Sequence, residues 1–265
     1  MLKELVSTPV RVATGLRLAR ASEWWAYKFA PLLGTAYATV VLARVPLAPL
    51  LPQVLLLLLA STVGATFVSL LNDWTDRADD AAAGKTNRLA HKSAGFVTGA
   101  LGLCVVAGLG FGGYFWRASP LGSLLYGGAW LAYALYSLPP FRLKVRGLAG
   151  VLADAAGAHL LPHLFTAVLL SAWAGWPAAG AWLLAVGGWA LGAGIRNILW
   201  HQLGDEAADR RAGVRTFVVK QGAARAKMVA ASVALPLELL GLVSLLWQLA
   251  AALPLLALGG YAALA

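Results

Sequence analysis

The sequence predicts an all-α protein, a polytopic bundle of membrane-spanning helices. Of its 265 residues, 60% are apolar and only 12% are charged, whereas soluble domains are about half apolar and about a quarter charged. Lipid offers no hydrogen bonds to the backbone and therefore selects helices. The apolar residues fall in runs of about 20, the length of helix that crosses a bilayer. These observations exclude an ordinary soluble fold.

Eight apolar runs are predicted to span the membrane, at residues 24–43, 49–71, 94–115, 120–138, 148–171, 179–200, 228–249 and 252–265. Residues 1–20 contain four basic residues and no long apolar core, which predicts an amphipathic helix on the membrane surface. The whole chain, 1–265, is expected to be one transmembrane domain. Its one cysteine, Cys104, excludes an intrachain disulfide.

The basic residues orient the bundle. Seventeen of them lie in the segments on one side of the predicted membrane, 1–20, 72–93, 139–147 and 201–227. The opposite side has only Arg44 and Arg117. Basic loops stay in the cytoplasm, so the first side is predicted to be cytoplasmic, in a bacterial inner membrane. The net charge of +10 is explained by this asymmetry, without nucleic acid as a partner.

The acidic residues are concentrated in two stretches. Seven of the eleven lie in 73–80 and 205–209, each at the cytoplasmic end of a predicted span. Segments 51–92 and 181–222 therefore share one order of features: an apolar helix, an Asp cluster and a basic loop. This shared order predicts an internal duplication.

The first Asp cluster suits a hard divalent cation. If the helix continues past the membrane face, Asp73, Asp76 and Asp80 lie at i, i+3 and i+7 on one side. Three adjacent carboxylates repel one another, and a bound cation relieves that repulsion. Oxygen ligands without His or Cys favour Mg²⁺. Asp79 falls off this face and is predicted to be solvated.

The second cluster contains Asp205 and Asp209, at i and i+4, and basic residues follow both clusters. Carboxylates, a metal and basic side chains together can hold a diphosphate, because the metal bridges phosphate oxygens and the basic groups neutralise the rest. Gly213 is expected to let the chain turn after the second cluster. The alternative for either cluster alone is a solvated helix end.

Three motifs occur in order along the chain. They are NDxxDxxxD at 72–80, YSLPPFRLK at 136–144, and DxxxDxxxGxxT at 205–216. In this the sequence resembles the UbiA-type superfamily of intramembrane prenyltransferases over nearly its whole length. It departs from many members in having no proline after Arg88. Members commonly have nine spans, so the resemblance implies eight to nine transmembrane helices.

The resemblance implies Mg²⁺-dependent transfer of a prenyl group from a prenyl diphosphate to an aromatic or other lipophilic acceptor. The metal ligands and catalytic residues carried over are Asp73, Asp76, Asp80, Asp205 and Asp209. The candidate diphosphate contacts are Asn72, Lys85, Arg88, Arg142, Lys144 and Arg215. For Arg142 and Lys144, a role as membrane-orienting anchors is an equal alternative.

Several polar residues fall at membrane depth, where they are functional candidates. They are Lys28, Asp154, His159, His163 and Arg196. A metal site of two histidines and Asp154 is conceivable, but polar packing between helices or lining of the acceptor cavity is favoured. His201, one turn before Asp205, could orient that carboxylate or contact the acceptor, and both interpretations stay open.

Two other functions compete. A membrane transporter could use the carboxylates of two repeats to bind ions, although its site would lie near the bilayer midplane rather than at helix ends. A membrane enzyme that transfers the alcohol part of a nucleotide-linked diphosphate would need a Gly-Ala-Arg-rich motif, which the sequence does not contain. Neither the acceptor nor the prenyl length can be read from the sequence.

Overall fold

The computed structural model describes residues 28–252, and all regular structure in that range is helical. The all-α prediction is confirmed for this part of the chain. The α-helices are α1 (Ala30–Ala43), α2 (Leu51–Thr75), α3 (Arg77–Ala83), α4 (Ala94–Ala118), α5 (Pro120–Ser137), α6 (Leu148–Ala155), α7 (Leu161–Trp173), α8 (Gly180–Ala212), α9 (Phe217–Gln221), α10 (Ala223–Val229) and α11 (Leu235–Ala252).

Five helical stretches between residues 28 and 252 are long and apolar enough to cross a membrane. They are Ala48–Thr75, Ala94–Ala118, Leu148–Trp173, Gly180–Ala212 and Ala223–Ala250, and each overlaps a predicted span. Helix α1 is apolar and has 14 residues. Residues 24–27 of the predicted span 24–43 lie outside the described residues. The predicted span 252–265 and the surface segment 1–20 also lie outside them.

Helix α5 occupies the predicted span 120–138 but is not among the five long apolar stretches. Glycine, serine and tyrosine residues are spread along its 18 residues, and they reduce its mean hydropathy. Gly122 lies so close to Leu169 of α7 that an added Cβ would be 2.7 Å from its side chain. Helix α5 is therefore adapted to packing against other helices as much as to lipid.

Two of the membrane-length stretches contain a π-helical turn, at Ala156–Leu160 and Ala230–Ala234. Each turn ends two residues before a proline, Pro162 or Pro236. Proline lacks the backbone N–H that an α-helix needs, and a wider turn accommodates the missing bond. The two stretches therefore continue as single rods, α6 with α7 and α10 with α11.

The first Asp cluster does not lie on one continuous helix, contrary to the prediction. Helix α2 ends at Thr75, and Asp76 adopts φ −101° and ψ 4° before α3 begins at Arg77. The predicted i, i+3, i+7 face is therefore broken at Asp76. As a result, Asp73 is buried beside the α2 helix end, whereas Asp76 points toward the loop that follows α5.

Helix α8 is continuous through the second cluster, as predicted. Its 33 residues rise about 50 Å, well beyond the roughly 30 Å of a hydrocarbon core. Asp205 and Asp209 lie near the end of this extension. Gly213 then ends the helix in the left-handed conformation, with φ 71°. This agrees with the expectation that Gly213 lets the chain turn.

Helices α8 and α11 pack with their backbones in contact. A Cβ on Gly192 would lie 2.4 Å from the backbone nitrogen of Glu238, and one on Gly241 would lie 2.2 Å from that of Trp189. Next to this contact, the Arg196 guanidinium donates to both carboxylate oxygens of Glu238, at 2.6 and 2.7 Å. Arg196 thus forms a bidentate ion pair across the α8–α11 contact.

A buried apolar cluster holds the end of α8 against the segments that follow it. Val151 of α6, Leu199 of α8 and Val218 of α9 are each at most 1% exposed and belong to this cluster. The cluster positions α9 beside the turn of α8 that precedes the second Asp pair.

Candidate functional site

The two Asp clusters face each other across one cavity of about 160 Å³. The charged groups in its wall are five carboxylates and two lysines, Asp76, Asp79, Asp80, Asp205, Asp209, Lys85 and Lys144. Neutral polar side chains complete the wall, among them Tyr136, His201, Gln202 and Thr216. The cavity therefore combines anionic oxygen ligands with fixed positive charges.

Asp76 and Asp79 are paired with the loop that follows α5. The ammonium of Lys144 contacts Oδ1 of Asp76. The Arg142 guanidinium lies 2.5 Å from Oδ2 of Asp79 and 3.9 Å from Oδ1 of Asp76. The helical-face argument predicted that Asp79 would be solvated, but Asp79 is paired with Arg142. The break at Asp76 turns α3 so that Asp79 faces the cavity.

Asn87 holds the other end of the first cluster. Its Nδ2 donates to Oδ2 of Asp80 and to the backbone carbonyl of Asp73, both at 2.7 Å. Arg88 lies 3.7 Å from the Asp73 carboxylate, which is 1% exposed. Asn87 was not predicted as a site residue. The only signal for it in the sequence was its place between Lys85 and Arg88.

Lys85 connects the two clusters. Its Nζ lies 3.0 Å from Oδ2 of Asp205, so a loop residue after the first cluster neutralises a carboxylate of the second. Arg211, beyond the second cluster, donates to the backbone carbonyl of Ala83 at 3.5 Å. The C-terminal ends of α3 and α8 are therefore joined by two contacts, one from Lys85 to Asp205 and one from Arg211 to Ala83.

The YSLPPFRLK segment is joined to the first cluster at both of its ends. Ser137 donates to Oδ1 of Asn72 at 2.5 Å. Arg142 adopts a left-handed conformation, with φ 39°, which is uncommon for a residue other than glycine. This turn brings Arg142 and Lys144 to the same pair of aspartates. The YSLPPFRLK segment thus places positive charge beside the first Asp cluster.

Lys144 is buried, with 6% of its surface exposed. Burial lowers its pKa to about 8, and the nearby Asp209 carboxylate acts in the opposite direction. A buried lysine in a cavity does not serve as a surface anchor, which favours the ligand-contact interpretation for this residue. Arg142 remains about one-third exposed and is held by aspartates.

The predicted site residues fall into two groups. In the cavity wall lie Asp76, Asp80, Lys85, Lys144, Asp205 and Asp209. Outside it lie Asn72, Asp73, Arg88, Arg142 and Arg215. Of these five residues outside the wall, four take part in contacts at the first cluster: Asn72 with Ser137, Asp73 with Asn87 and Arg88, and Arg142 with Asp79. Arg215 is exposed in the turn after α8.

The donors of the cavity fit Mg²⁺ in kind, because they are carboxylate oxygens from two facing segments. Within residues 28–252, no three His, Cys, Asp or Glu side chains are grouped closely enough to hold a metal ion. The carboxylates are instead neutralised by Lys85, Lys144 and Arg142. A metal with its own anionic ligand would compete with these ion pairs.

The two histidines at membrane depth contact side chains of neighbouring helices. His163 Nδ1 and the Thr35 hydroxyl are 2.7 Å apart, and the ring lies edge-on against Trp189. His159 Nε2 lies 3.4 Å from the amide nitrogen of Asn197. No metal group forms from them in the described part of the chain. His201, in contrast, lies in the cavity wall.

Together, the fold and the site define a membrane protein of packed helices with a carboxylate- and lysine-lined cavity at helix ends. The family model described as "UbiA prenyltransferase family" matches residues 32–265. The chain belongs to the UbiA prenyltransferase family, and it is therefore a prenyltransferase. This membership confirms the resemblance carried by the three motifs and excludes the transporter alternative.

Two solved structures are similar to this chain, and both are of a UbiA homolog from Archaeoglobus fulgidus. The one bound to GPP and Mg²⁺ has a TM-score of 0.61 and 17% identity, covering 89% of this chain and 77% of the other. The one bound to DMAPP and Mg²⁺ has a TM-score of 0.57 and 19% identity, covering 90% and 85%. No curated protein matches the sequence.

Proposed function

We propose that this prenyltransferase takes its prenyl group from a prenyl diphosphate, with Mg²⁺, and transfers it to an aromatic or other lipophilic acceptor inside the membrane. The observation that carries the proposal is the cavity in which both Asp clusters and two lysines face one another. The similar Archaeoglobus fulgidus protein is described as bound to GPP or DMAPP with Mg²⁺, which supports the same ligands here.

In this proposal the aspartates bind the metal and the lysines bind the diphosphate. Asp73, Asp76, Asp80, Asp205 and Asp209 are the proposed metal ligands. When bound, Mg²⁺ would supply positive charge to the departing diphosphate. Lys85 and Lys144 leave their carboxylate partners and bind diphosphate oxygens, since an ammonium gains more from the more highly charged anion.

The residues outside the cavity wall are proposed to support this clamp. Asn72, held by Ser137, and Arg88, beside Asp73, fix the end of α2. Arg142 holds Asp79 and approaches Asp76, so it is available to an anion that displaces it. Arg215 follows the second cluster and would meet the diphosphate only after movement of its side chain.

The chain is further proposed to form one domain of eight to nine spans that arose by duplication. Helices α2 and α8 support the duplication, because each leads from an apolar span into an Asp cluster and then a basic loop. Both clusters are proposed to face the cytoplasm of a bacterial inner membrane, on the basis of the basic-residue asymmetry.

Sidedness is tested by single cysteines at two exposed positions, Thr86→Cys after the first cluster and Arg117→Cys at the end of α4, in a Cys104→Ser background. A membrane-impermeant thiol reagent added to whole cells should label position 117 alone. Labelling at 86 under the same conditions would contradict the cytoplasmic placement.

Ligand binding is tested with purified protein in detergent. Without the diphosphate, Mg²⁺ lacks phosphate oxygens as ligands, and without Mg²⁺ the diphosphate faces bare carboxylates. Mg²⁺ and the diphosphate should therefore bind cooperatively. GPP should raise the melting temperature only when Mg²⁺ is present, and EDTA or Asp76→Asn should remove the effect. Stabilisation by Mg²⁺ alone would favour simple cation binding. Equal stabilisation by GPP with and without Mg²⁺ would contradict the two-cluster proposal.

A further inference from the structure

Gln202 lies in the cavity wall, on α8, three residues before Asp205. It is 5% exposed. Three residues of helix correspond to a rise of about 4.5 Å, so its backbone lies deeper in the bundle than the second Asp pair. Neither the motifs nor the charge pattern assigned this residue a role.

The orientation of the Gln202 amide is set by α9. Its Oε1 accepts a hydrogen bond from the backbone N–H of Val218 at 3.3 Å. Val218 is fully buried in the apolar cluster that holds α9 against α8. Because the oxygen accepts from this fixed donor, the Nε2 group, on the other arm of the planar amide, is directed away from the Val218 N–H.

Within the described part of the chain, Nε2 of Gln202 has no hydrogen-bond partner. A buried donor without an acceptor costs about 1–3 kcal/mol. Such a cost is tolerated at ligand sites, where the ligand supplies the missing acceptor. The neighbouring wall contains Asp205 and Asp209, so a neutral donor here adds attraction for an anion without adding another full charge.

We infer that the Gln202 amide N–H donates a hydrogen bond to an oxygen of the bound diphosphate, on the membrane side of the Asp205 carboxylate. This inference rests on the proposed function and adds one contact to it. Diphosphate oxygens only accept hydrogen bonds, which matches a donor whose own acceptor atom is already used. A donor to the leaving group also gains strength as negative charge develops there.

Two variants of the full chain separate this contact from the structural bond to Val218. Gln202→Glu keeps an oxygen for the Val218 N–H and loses the donor. Gln202→Met is close in length and uncharged, and it loses both. Gln221→Glu, at an exposed position at the end of α9, introduces the same charge outside the cavity and serves as the control.

The measurement is the Kd of GPP and of inorganic pyrophosphate, each with Mg²⁺, by calorimetry in detergent. Both Gln202 variants should raise the Kd of both ligands about tenfold or more, the loss expected for a hydrogen bond to a charged group. Gln202→Met should also lower the melting temperature, and Gln202→Glu should lower it less. The control should match the wild type.

The possible outcomes distinguish a failure of the Gln202 contact from a failure of the proposed function. If the wild type shows no Mg²⁺-dependent binding of GPP, the proposed function fails. If the wild type binds but Gln202→Met binds both ligands within about twofold of it, only the inference fails. Weaker binding of GPP with unchanged binding of pyrophosphate would also overturn it, because the donor would then contact some other part of the ligand. Should Gln202→Met not fold, an unchanged Kd in Gln202→Glu overturns it instead.

Discussion

The Lys85 ammonium lies 3.0 Å from the Asp205 carboxylate, and this ion pair joins the loop after the first Asp cluster to the second cluster. Both side chains are in the wall of the same cavity, and both are partly exposed to it. An exposed pair of this kind contributes little to stability, about 0–1 kcal/mol. Its significance is that Mg²⁺ with a diphosphate can replace the pair, with the metal binding Asp205 and the diphosphate binding Lys85.

Lys85→Met should weaken the binding of Mg²⁺ with GPP about tenfold, because a charged contact to the diphosphate is lost. The same variant should bind Mg²⁺ alone more tightly than the wild type, since Asp205 then has no internal cation. Calorimetric titration of each ligand measures both effects. Lys92→Met, an exposed change outside the cavity, should alter neither.

Asp76→Ala, Asp205→Ala and Asp209→Ala should each reduce prenyl transfer by at least a hundredfold, since each removes an oxygen ligand from a site that stabilises the leaving group. The variants should still insert into the membrane. Transfer of a radiolabelled prenyl group in membranes measures the loss. Glu206→Ala is the matched control, because Glu206 lies on the same helix but pairs with Arg210, and its activity should be retained. Near-normal activity in any two of the aspartate variants would contradict the metal-ligand assignment.

The affinity for GPP with Mg²⁺ should fall as the pH rises through about 8. The pKa of Lys144 is lowered from 10.5 to about 8, so the side chain is protonated below that pH and neutral above it. Only the protonated form attracts the diphosphate. The Kd measured from pH 7 to 9.5 should rise in the wild type, and Lys144→Met should bind weakly at every pH without that rise. A wild-type Kd that is constant over this range would show that Lys144 does not contact the diphosphate.

The same lowered pKa has a consequence for stability. Between pH 8 and 10.5 the unfolded chain binds a proton at Lys144 that the folded chain does not, so this residue makes stability increase with pH over that interval. Lys144→Met should remove this contribution. Unfolding in a denaturant series at pH 8 and pH 10 compares the two proteins.

The bidentate pair of Arg196 and Glu238 should be a stability element rather than a catalytic one. Arg196→Met leaves a carboxylate at the α8–α11 contact without its partner and should cost about 3 kcal/mol. The double variant with Glu238→Leu should recover most of that loss, because no unpaired charge remains. Thermal unfolding in detergent measures both, and the Kd of GPP should be unchanged. A double variant as unstable as the single one would show that the pair contributes net stability of its own.

The sequence was sufficient for the features that depend on composition and local spacing. The apolar runs predicted helices, and five of them are long apolar helices in the described structure. Asp205 and Asp209 were placed on one helix face, because a continuous helical pattern runs through them. The three ordered motifs identified the family. Each of these follows from helical periodicity, the hydrophobic effect or motif identity, which need no knowledge of distant contacts.

The tertiary structure decided what the clusters face. Asp79 lies in the cavity wall, and Asp76 and Asp79 pair with Lys144 and Arg142 of a loop more than sixty residues away in sequence. Asn87 and Gln202 gained their positions from hydrogen bonds to Asp80 and to Val218. Helical periodicity cannot predict such bonds, because each joins two segments across a turn or loop, and they form only when those segments pack together and bury their polar groups as pairs.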